Sequence, residues 1–403
     1  MHPLSTRALR ACVHAVLKLV ILCAALPVAA ADVVVTGAFR SSAQNASDQT
    51  FQNTTTQSQY CHWQPDLCQE RGHYVFDVPV TVSRNYVSGD NIRTRMYASF
   101  PAQREVILQN QHGDTARFTV AFSSYSGELA PVDRSKRADI LSFEGGCSHR
   151  LMVNLPSAMQ FGVSIKNTAT PSPCYASSNT DATSTTTSYH SPSIGLGLRI
   201  VTPAPTALPS GVYTGNLTYS LGGAGNDIDF GDEVTVSDST LTVRFEFTVT
   251  HELDVIRLDE SEKIELVPEG GWSAWTDPDS VPRELKATTQ FRIFTKDPIH
   301  VTLRCQYGTG SHCAIRSSQD NSEVEIFLRL TFGGWRLVES GIPIHYYLFD
   351  KSKDHFFEMY DGEAAAQPSI ALFAVNGAPV SKMLSQPGST WSGNVTLIFE
   401  TSF

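Results

Sequence analysis

Apolar and polar residues alternate with a period of two along much of this chain. In "TLTVRFEFTV" one face carries only apolar side chains, namely Leu241, Val243, Phe245, Phe247 and Val249. "YVFDVPVTV", from Tyr74, and "NVTLIFETSF", from Asn394, show the same alternation. This pattern predicts half-buried strands, and turn-forming Gly, Asn and Asp residues separate them. We find no long apolar stripe of helical period, so we expect an all-β chain built from immunoglobulin-like sandwiches.

One long segment breaks the alternation. The stretch "YASSNTDATSTTTSYHSPS", residues 175–193, consists almost entirely of small polar residues. Because it offers few apolar side chains to a core, we expect a long surface loop there.

The first residues predict a targeting segment. Arg7, Arg10 and Lys18 precede an apolar run that starts at Leu19 and ends in small residues at Ala31. This order is typical of a secretory signal peptide, and the run is too short to span a bilayer comfortably. We therefore expect residues 1–31 to be removed and the protein to be exported. The formal net charge of −10 argues against a nucleic-acid partner.

Six cysteines come after the predicted signal peptide, and an oxidising compartment favours disulfides. They fall into three local pairs: Cys61–Cys68, Cys147–Cys174 and Cys305–Cys313. The alternative is a metal site formed by Cys61 and Cys68 with His62 and His73. That spacing matches no usual zinc pattern, so we expect neither a metal nor a cofactor.

A short element occurs twice, as "PSGVYTGNLTYSL" from Pro209 and as "PGSTWSGNVTLIF" from Pro387. The strand pattern "TLTVRFEFTV" comes after the first copy, whereas the sequence ends at Phe403 soon after the second. If each copy is the same late strand of a sandwich, the domain boundary lies just past Val249. The second sandwich then lacks its last strand, unless all strands are present and the count is wrong. A sandwich without its last strand exposes unpaired backbone groups, and another chain can supply the missing strand.

The order and spacing of several motifs resemble the minor tip subunits of class 5 (alpha-clade) chaperone–usher fimbriae. That family includes the tip adhesins of enterotoxigenic fimbriae and the cable-pilus biogenesis initiators. The motifs are the three cysteine pairs, the "LPSGVYTGNLT" element, "KIELVPEGGWSAW" and the C-terminal "WSGNVTLIF".

The resemblance implies an adhesin domain over residues 32–249, a short linker at 250–252 and an incomplete pilin domain over 253–403. It also implies a groove bounded by two strands, with Leu253 and Val255 in front and Val395, Leu397 and Phe399 behind. The implied partners are a periplasmic chaperone, an outer-membrane usher, a major pilin subunit that donates a strand, and a host glycan or glycoprotein receptor. The implied location is the tip of a fimbria on the bacterial surface.

The receptor site of the family transfers poorly. The relatives carry arginines before the first cysteine pair and after the repeated element, where this chain has "TQSQYC" and "LGGAGNDIDFGDE". The remaining cationic candidates are Arg93, Arg95, Arg134, Lys136 and Arg137. A guanidinium suits an acidic sugar or sulfate, although scattered arginines on strands are more often simply solvated.

Candidate enzyme chemistry is weak in this sequence. The acidic run Asp227, Asp229, Asp232 and Glu233 lacks the glycine position of an EF-hand loop, so we expect a solvated acidic loop rather than a calcium site. The carboxylates Asp259, Glu260, Glu262 and Glu265 have no identifiable partner across a cleft, and His355 has no nucleophile partner. We therefore expect a fimbrial tip subunit that initiates assembly and adheres to a host receptor, and not an enzyme. The alternatives are a free secreted or periplasmic carbohydrate-binding sandwich without an assembly role and, third, a secreted hydrolase.

Overall fold

The computed structural model describes residues 31–41, 50–70, 72–87, 89–135, 140, 142–177, 186–259, 263–277, 280–308 and 310–402. The predicted signal peptide lies outside these residues except for Ala31, which begins the first strand. In the described part, no helix is long and apolar enough to cross a membrane.

Strands dominate the described chain. They are β1 (Ala31–Ser41), β2 (Gln52–Asn53), β3 (His73–Val78), β4 (Val82–Val87), β5 (Tyr97–Ala98), β6 (Arg104–Gln109), β7 (Thr115–Pro131), β8 (Phe143–Gly145), β9 (Cys147–Asn154), β10 (Met159–Ile165), β11 (Cys174–Ala176), β12 (Thr186–Ser191), β13 (Ile194–Val201), β14 (Gly211–Gly222), β15 (Ile228–Asp229), β16 (Val234–Val236), β17 (Thr240–His251), β18 (Asp254–Arg257), β19 (Glu284–Phe294), β20 (Ile299–Cys305), β21 (Cys313–Ser317), β22 (Glu323–Thr331), β23 (Trp335–Leu337), β24 (Tyr347–Leu348), β25 (His355–Met359), β26 (Ser369–Asn376), β27 (Trp391–Ser392) and β28 (Val395–Thr401).

The helices in the described chain are short. They are α1 (Tyr60–Trp63), α2 (Pro65–Cys68), α3 (Gly362–Ala365) and α4 (Ala378–Leu384), with 3-10 turns at Ile92–Thr94, Pro205–Ala207 and Trp272–Ala274. The prediction of an all-β fold is confirmed.

Two large buried cores succeed one another along the described chain, and a small third cluster surrounds the Cys61–Cys68 disulfide. The buried side chains of the first core come from residues 31–249, and those of the second come from residues 285–380. A large sheet of strand order β16-β4-β12-β7-β6-β14-β17-β1-β2 curls around the first core, with a small sheet β5-β11-β8 beside it. Two sheets, β18-β19-β26-β22-β21-β27 and β23-β25-β20-β28, enclose the second core as a sandwich. The predicted linker, residues 250–252, coincides with the last two residues of β17 and Glu252.

Burial matches the alternation of the sequence in β17. The side chains of Leu241, Val243, Phe245, Phe247 and Val249 are all buried, while Arg244 and Glu246 are exposed. "YVFDVPVTV" behaves differently, because the chain forms two strands there, β3 and β4, with a break at Pro79. Proline has no N–H to donate to a ladder, and the two strands pair with different partners, β13 and β12.

The prediction of one long loop over residues 175–193 is wrong in part. Thr186–Ser191 forms β12, which pairs along its whole length with β4 and then with β7. Tyr189 is the apolar anchor of this strand: it is buried, and its ring contacts that of Tyr86 edge to face. Backbone pairing to β4 and one aromatic side chain therefore suffice for a strand in an otherwise polar segment. Residues 178–185 lie outside the described chain.

The structure pairs the cysteines as their local spacing predicts. The Cα–Cα distances are 5.7 Å for Cys61–Cys68, 5.2 Å for Cys147–Cys174 and 5.4 Å for Cys305–Cys313. The first disulfide joins α1 to α2, and the second joins the start of β9 to β11. Because Cys61 and Cys68 are bonded to each other, their thiols are not free to bind the metal of the alternative interpretation.

Candidate functional site

The two copies of the repeated element have different surroundings. The first copy forms β14, which pairs antiparallel with β17 from Gly211 to Ser220. On its other side, β17 pairs parallel with β1 from Ala31 to Ser41. In the N-terminal part, β17 therefore fills the position between the strand of the repeated element and the first strand.

The second copy has no such companion among the described residues. Its strand β28 pairs antiparallel with β20 on one side and ends its sheet there. The strand β18 pairs antiparallel with β19 and ends the other sheet of the same sandwich. We call the region between the outer edges of β18 and β28 the groove. The ring of Phe399, on β28, lies 5.6 Å from that of Phe291, which is opposite Arg257 in the β18–β19 register.

The inward face of β28 is apolar and only half-buried. Val395, Leu397 and Phe399 pack against the second core without being fully covered. Their register partners on β20, by contrast, include Leu303 and Val301, of which 7% and 0% are exposed. Both strands face the same core, but β20 lies between two strands and β28 is at the end of the sheet, which accounts for the difference in burial.

The front strand is also uncovered. Leu253 packs against the second core, whereas Val255 is 37% exposed. Ile256 and Leu258 are exposed as well, and sequence reasoning missed them as part of this edge. The signal was present in "LDVIRL", where apolar residues occupy both faces of a short strand. An edge strand with free backbone N–H and C=O groups and exposed apolar side chains favours pairing with another chain.

Two of the arginine candidates for a receptor site form hydrogen bonds within the protein. Arg93 pairs with Asp229 at 2.8 Å and with Asp232 at 2.8 Å, and its guanidinium lies over the ring of Tyr97. The hydrogen bonds that Arg93 donates to Asp229, ahead of those to Asp232, raise its pKa. Arg95 donates two hydrogen bonds to the backbone oxygen of Gly89.

Of the other three candidates, the structure describes only Arg134. Arg134 is exposed, and Arg137 and Lys136 lie outside the described residues. The role of any of these side chains in receptor binding stays a prediction.

The prediction of a solvated acidic loop is wrong for much of the run after the first repeated element. Asp229 is buried and paired with Arg93, and Asp227 is paired with Arg104. Burial opposes ionisation of Asp227, but hydrogen bonds from Ser220 and the charge of Arg104 outweigh it and lower its pKa. These carboxylates are counterions of arginines that lie far away in the sequence, which a local pattern cannot show.

His355 is a core residue in the structure. It is buried, and its ring nitrogens face the hydroxyl of Tyr347 at 3.0 Å and the backbone oxygen of Asp350 at 2.7 Å. Of the carboxylates around Asp259, Glu260 and Glu262 lie outside the described residues. In the part of the chain that the structure describes, no group of three or more His, Cys, Asp or Glu side chains is placed to hold a metal ion.

Comparison with known proteins finds a distant likeness among solved structures. No family model matches the chain, and no curated protein matches it. Among solved structures, it is similar to the crystal structure of the CsuC–CsuE chaperone–tip adhesion subunit pre-assembly complex of the archaic chaperone–usher Csu pili of Acinetobacter baumannii. The likeness has 10% identity and a TM-score of 0.25, and it covers 92% of this chain and 99% of that chain.

Proposed function

We propose that this protein is a minor subunit at the tip of a chaperone–usher fimbria and that another chain completes its C-terminal sandwich by inserting a strand into the groove. The observation that carries the proposal is that, in the described part of the chain, β18 and β28 are the end strands of the two sheets of one sandwich. Residues 32–249 would form an adhesin domain, and residues 253–403 would form the pilin domain, joined at 250–252.

The N-terminal part of the same chain provides the template for the missing strand. There β17 runs antiparallel to β14 and parallel to β1. By the same arrangement, the inserted strand runs antiparallel to β28 and parallel to β18. Its alternate side chains then cover Val395, Leu397 and Phe399, as the inward face of β17 covers the first core.

Two physical terms drive the insertion. Each edge offers backbone N–H and C=O groups that a new strand satisfies on both sides. The half-buried apolar side chains of the groove lose their remaining exposure, which contributes about 25 cal/mol for each Å² of apolar surface removed from water. A subunit with this groove needs a protective partner before assembly, because an uncovered edge pairs with other chains nonspecifically.

The proposed partners bind one after another. A periplasmic chaperone fills the groove during export, the outer-membrane usher receives the complex, and a major pilin subunit then replaces the chaperone strand. The first part of the chain is left free to bind a host glycan or glycoprotein. In this scheme the subunit accepts a strand and donates none, lies at the tip of the fibre and initiates assembly.

The test is capture by the chaperone. The full chain is exported together with the chaperone of the same fimbrial system, and co-purification is measured for the wild type, Leu397→Asp and Thr396→Asp. Leu397 faces the groove, whereas Thr396 is the exposed neighbour on the same strand. We expect the wild type and Thr396→Asp to co-purify with the chaperone and Leu397→Asp to be lost.

A stable isolated C-terminal part would contradict the proposal. If residues 250–403 alone are soluble, monomeric and stable without a chaperone or a donor peptide, the groove needs no second chain and the proposal fails. The free carbohydrate-binding protein would then be the better interpretation.

A further inference from the structure

An open cavity of about 440 Å³ lies beside the Cys147–Cys174 disulfide in the N-terminal part. Its walls include Ile92, Gly145, Gly146, Lys166, Ser172 and Tyr175. The volume falls within the range of about 300–1,000 Å³ that small-molecule sites span. Neither the repeated element nor the groove contributes to this cavity.

Two of the lining residues are glycines, so backbone atoms form part of the cavity surface. Gly145 has a φ of 78° and pairs with Cys174 across the β8–β11 ladder. A Cβ atom at Gly145 would lie 2.7 Å from Cε1 of Tyr175, so the ring of Tyr175 covers the glycine directly. Gly146 donates its N–H to the backbone oxygen of Pro173 at 2.8 Å. The aromatic wall is therefore fixed by a strand pair and a disulfide rather than by a mobile loop.

Among the described residues that line the cavity, Lys166 carries the only charged side chain. Its Nζ donates to the backbone oxygen of Gly145 at 2.9 Å, and the residue is exposed. An ammonium group has three N–H donors, so this hydrogen bond fixes the position of Nζ and leaves donors for a ligand. Ser172 adds an exposed hydroxyl at the same rim.

The arginine next to the cavity is already paired with carboxylates. Arg93 comes directly after Ile92 in the 3-10 turn at the edge of the cavity, and its guanidinium is held by Asp229 and Asp232. Two carboxylates neutralise that cation, so it contributes little attraction for an anion. Lys166, which comes from the end of β10, is the cation that the cavity presents.

We propose that this cavity binds an acidic saccharide, with a sugar ring against the face of Tyr175 and a carboxylate or sulfate on Lys166. A tyrosine ring offers a flat apolar body, which suits the C–H face of a pyranose. The lysine ammonium forms a charge-assisted hydrogen bond with the acidic group. This inference rests on the adhesive role in the proposed function, and it names the class of receptor and the residues that read it.

The experiment measures sugar binding to the full chain by calorimetry and by saturation-transfer NMR. The probe is 3′-sialyllactose, and lactose is its neutral match. We expect 3′-sialyllactose to bind with a Kd about ten-fold or more below that of lactose, which corresponds to one charge-assisted contact. Lys166→Gln should remove this preference and leave lactose binding unchanged, whereas Lys296→Gln, an exposed lysine in the C-terminal part, should change nothing.

A second pair of variants tests the aromatic wall. Tyr175→Ala should abolish binding of both sugars, and Tyr175→Phe, which keeps the ring face and the fold, should retain it. Equal affinity for the two sugars, absence of binding to 3′-sialyllactose, or a preference that survives Lys166→Gln would each overturn the inference.

The two proposals fail separately. If the chaperone captures the wild type but not Leu397→Asp, and no sugar binds, the fimbrial proposal is supported and the saccharide site is refuted. Sugar binding that depends on Lys166 in a chain that needs no chaperone supports the site and removes the fimbrial role.

Discussion

The carboxylate of Asp297 and Ser210 form a buried hydrogen-bonded pair between the two parts of the chain. The Ser210 N–H donates to Oδ1 at 3.2 Å, and its hydroxyl donates to Oδ2 at 2.6 Å. The same hydroxyl accepts the backbone N–H of His251 at 2.9 Å. Ser210 directly precedes β14 and Asp297 lies just before β20. The pair therefore fixes how the repeated element of the first part meets the strand that supports β28 in the second.

Removing this pair should loosen the junction. Asp297→Ala leaves a buried hydroxyl and a buried N–H without their acceptor, and we expect the free energy of unfolding to fall by about 2–3 kcal/mol. Urea unfolding of the full chain measures the loss, and limited proteolysis near residues 250–253 measures the exposure of the junction. Asp90→Ala, at an exposed position, is the matched control and should behave as the wild type. Unchanged stability and cleavage in Asp297→Ala would show that the junction does not depend on this carboxylate.

The groove residues should act mainly on strand insertion. Truncating a fully buried Leu or Phe to Ala costs about 2–5 kcal/mol. Leu397 and Phe399 are half-buried in the structure, and the proposed inserted strand would cover them, so most of that cost should appear in the affinity for that strand. We expect Leu397→Ala and Phe399→Ala to impair assembly into fimbriae, while Thr396→Ala assembles as the wild type does. Fimbriae can be counted by electron microscopy, and normal numbers in both groove variants would contradict the assignment.

The Asp227–Arg104 pair should make stability depend on pH in acid. The pKa of Asp227 is lowered in the folded protein, so the unfolded chain takes up the proton first as the pH falls. The contribution is fully present above the unfolded pKa of about 3.9 and is lost as the pH drops through the lowered folded value. Asp227→Asn should therefore have a lower Tm than the wild type at pH 6, with the difference shrinking as the pH falls below about 4. A difference that stays constant over this range would exclude the carboxylate as its source.

The tyrosine of the first repeated element is tied to the start of that element. The hydroxyl of Tyr213 donates to the backbone oxygen of Pro209 at 3.0 Å, and burial raises its pKa to about 12. Tyr213→Phe removes one hydrogen bond without changing the ring, and we expect a loss of about 0.5–1.5 kcal/mol. Thermal unfolding against the wild type measures it. A Tm equal to that of the wild type would show that the hydrogen bond contributes nothing net to stability.

The sequence determined the class of fold and the inward faces of several strands. Alternation placed Leu241 and Phe247 in the core because a strand of period two with one apolar face has only one way to bury it. Local spacing also paired the cysteines, since short separations limit which thiols can meet.

Contacts between distant segments were decided only by the tertiary structure. The sequence offered Arg93 as a free cation and Asp229 as part of a solvated loop, yet the sheet brings them together as an ion pair. It offered residues 186–191 as loop, yet backbone pairing with β4 makes them a strand. Hydrogen bonding between strands does not depend on side-chain pattern, so composition alone could not reveal it.

The groove was anticipated in part from the sequence and depends in part on the tertiary structure. The repeated element indicated that β14 and β28 are corresponding strands, but only the structure shows that β28 pairs with one strand, β20, among the described residues. Packing around the second core decides which strands pair. The pairing in turn places β18 and β28 at the ends of their sheets and leaves Leu397 and Phe399 half-buried. The cavity at Tyr175 and Lys166 had no sequence signal, since its walls come from turns and strands that meet only in the folded chain.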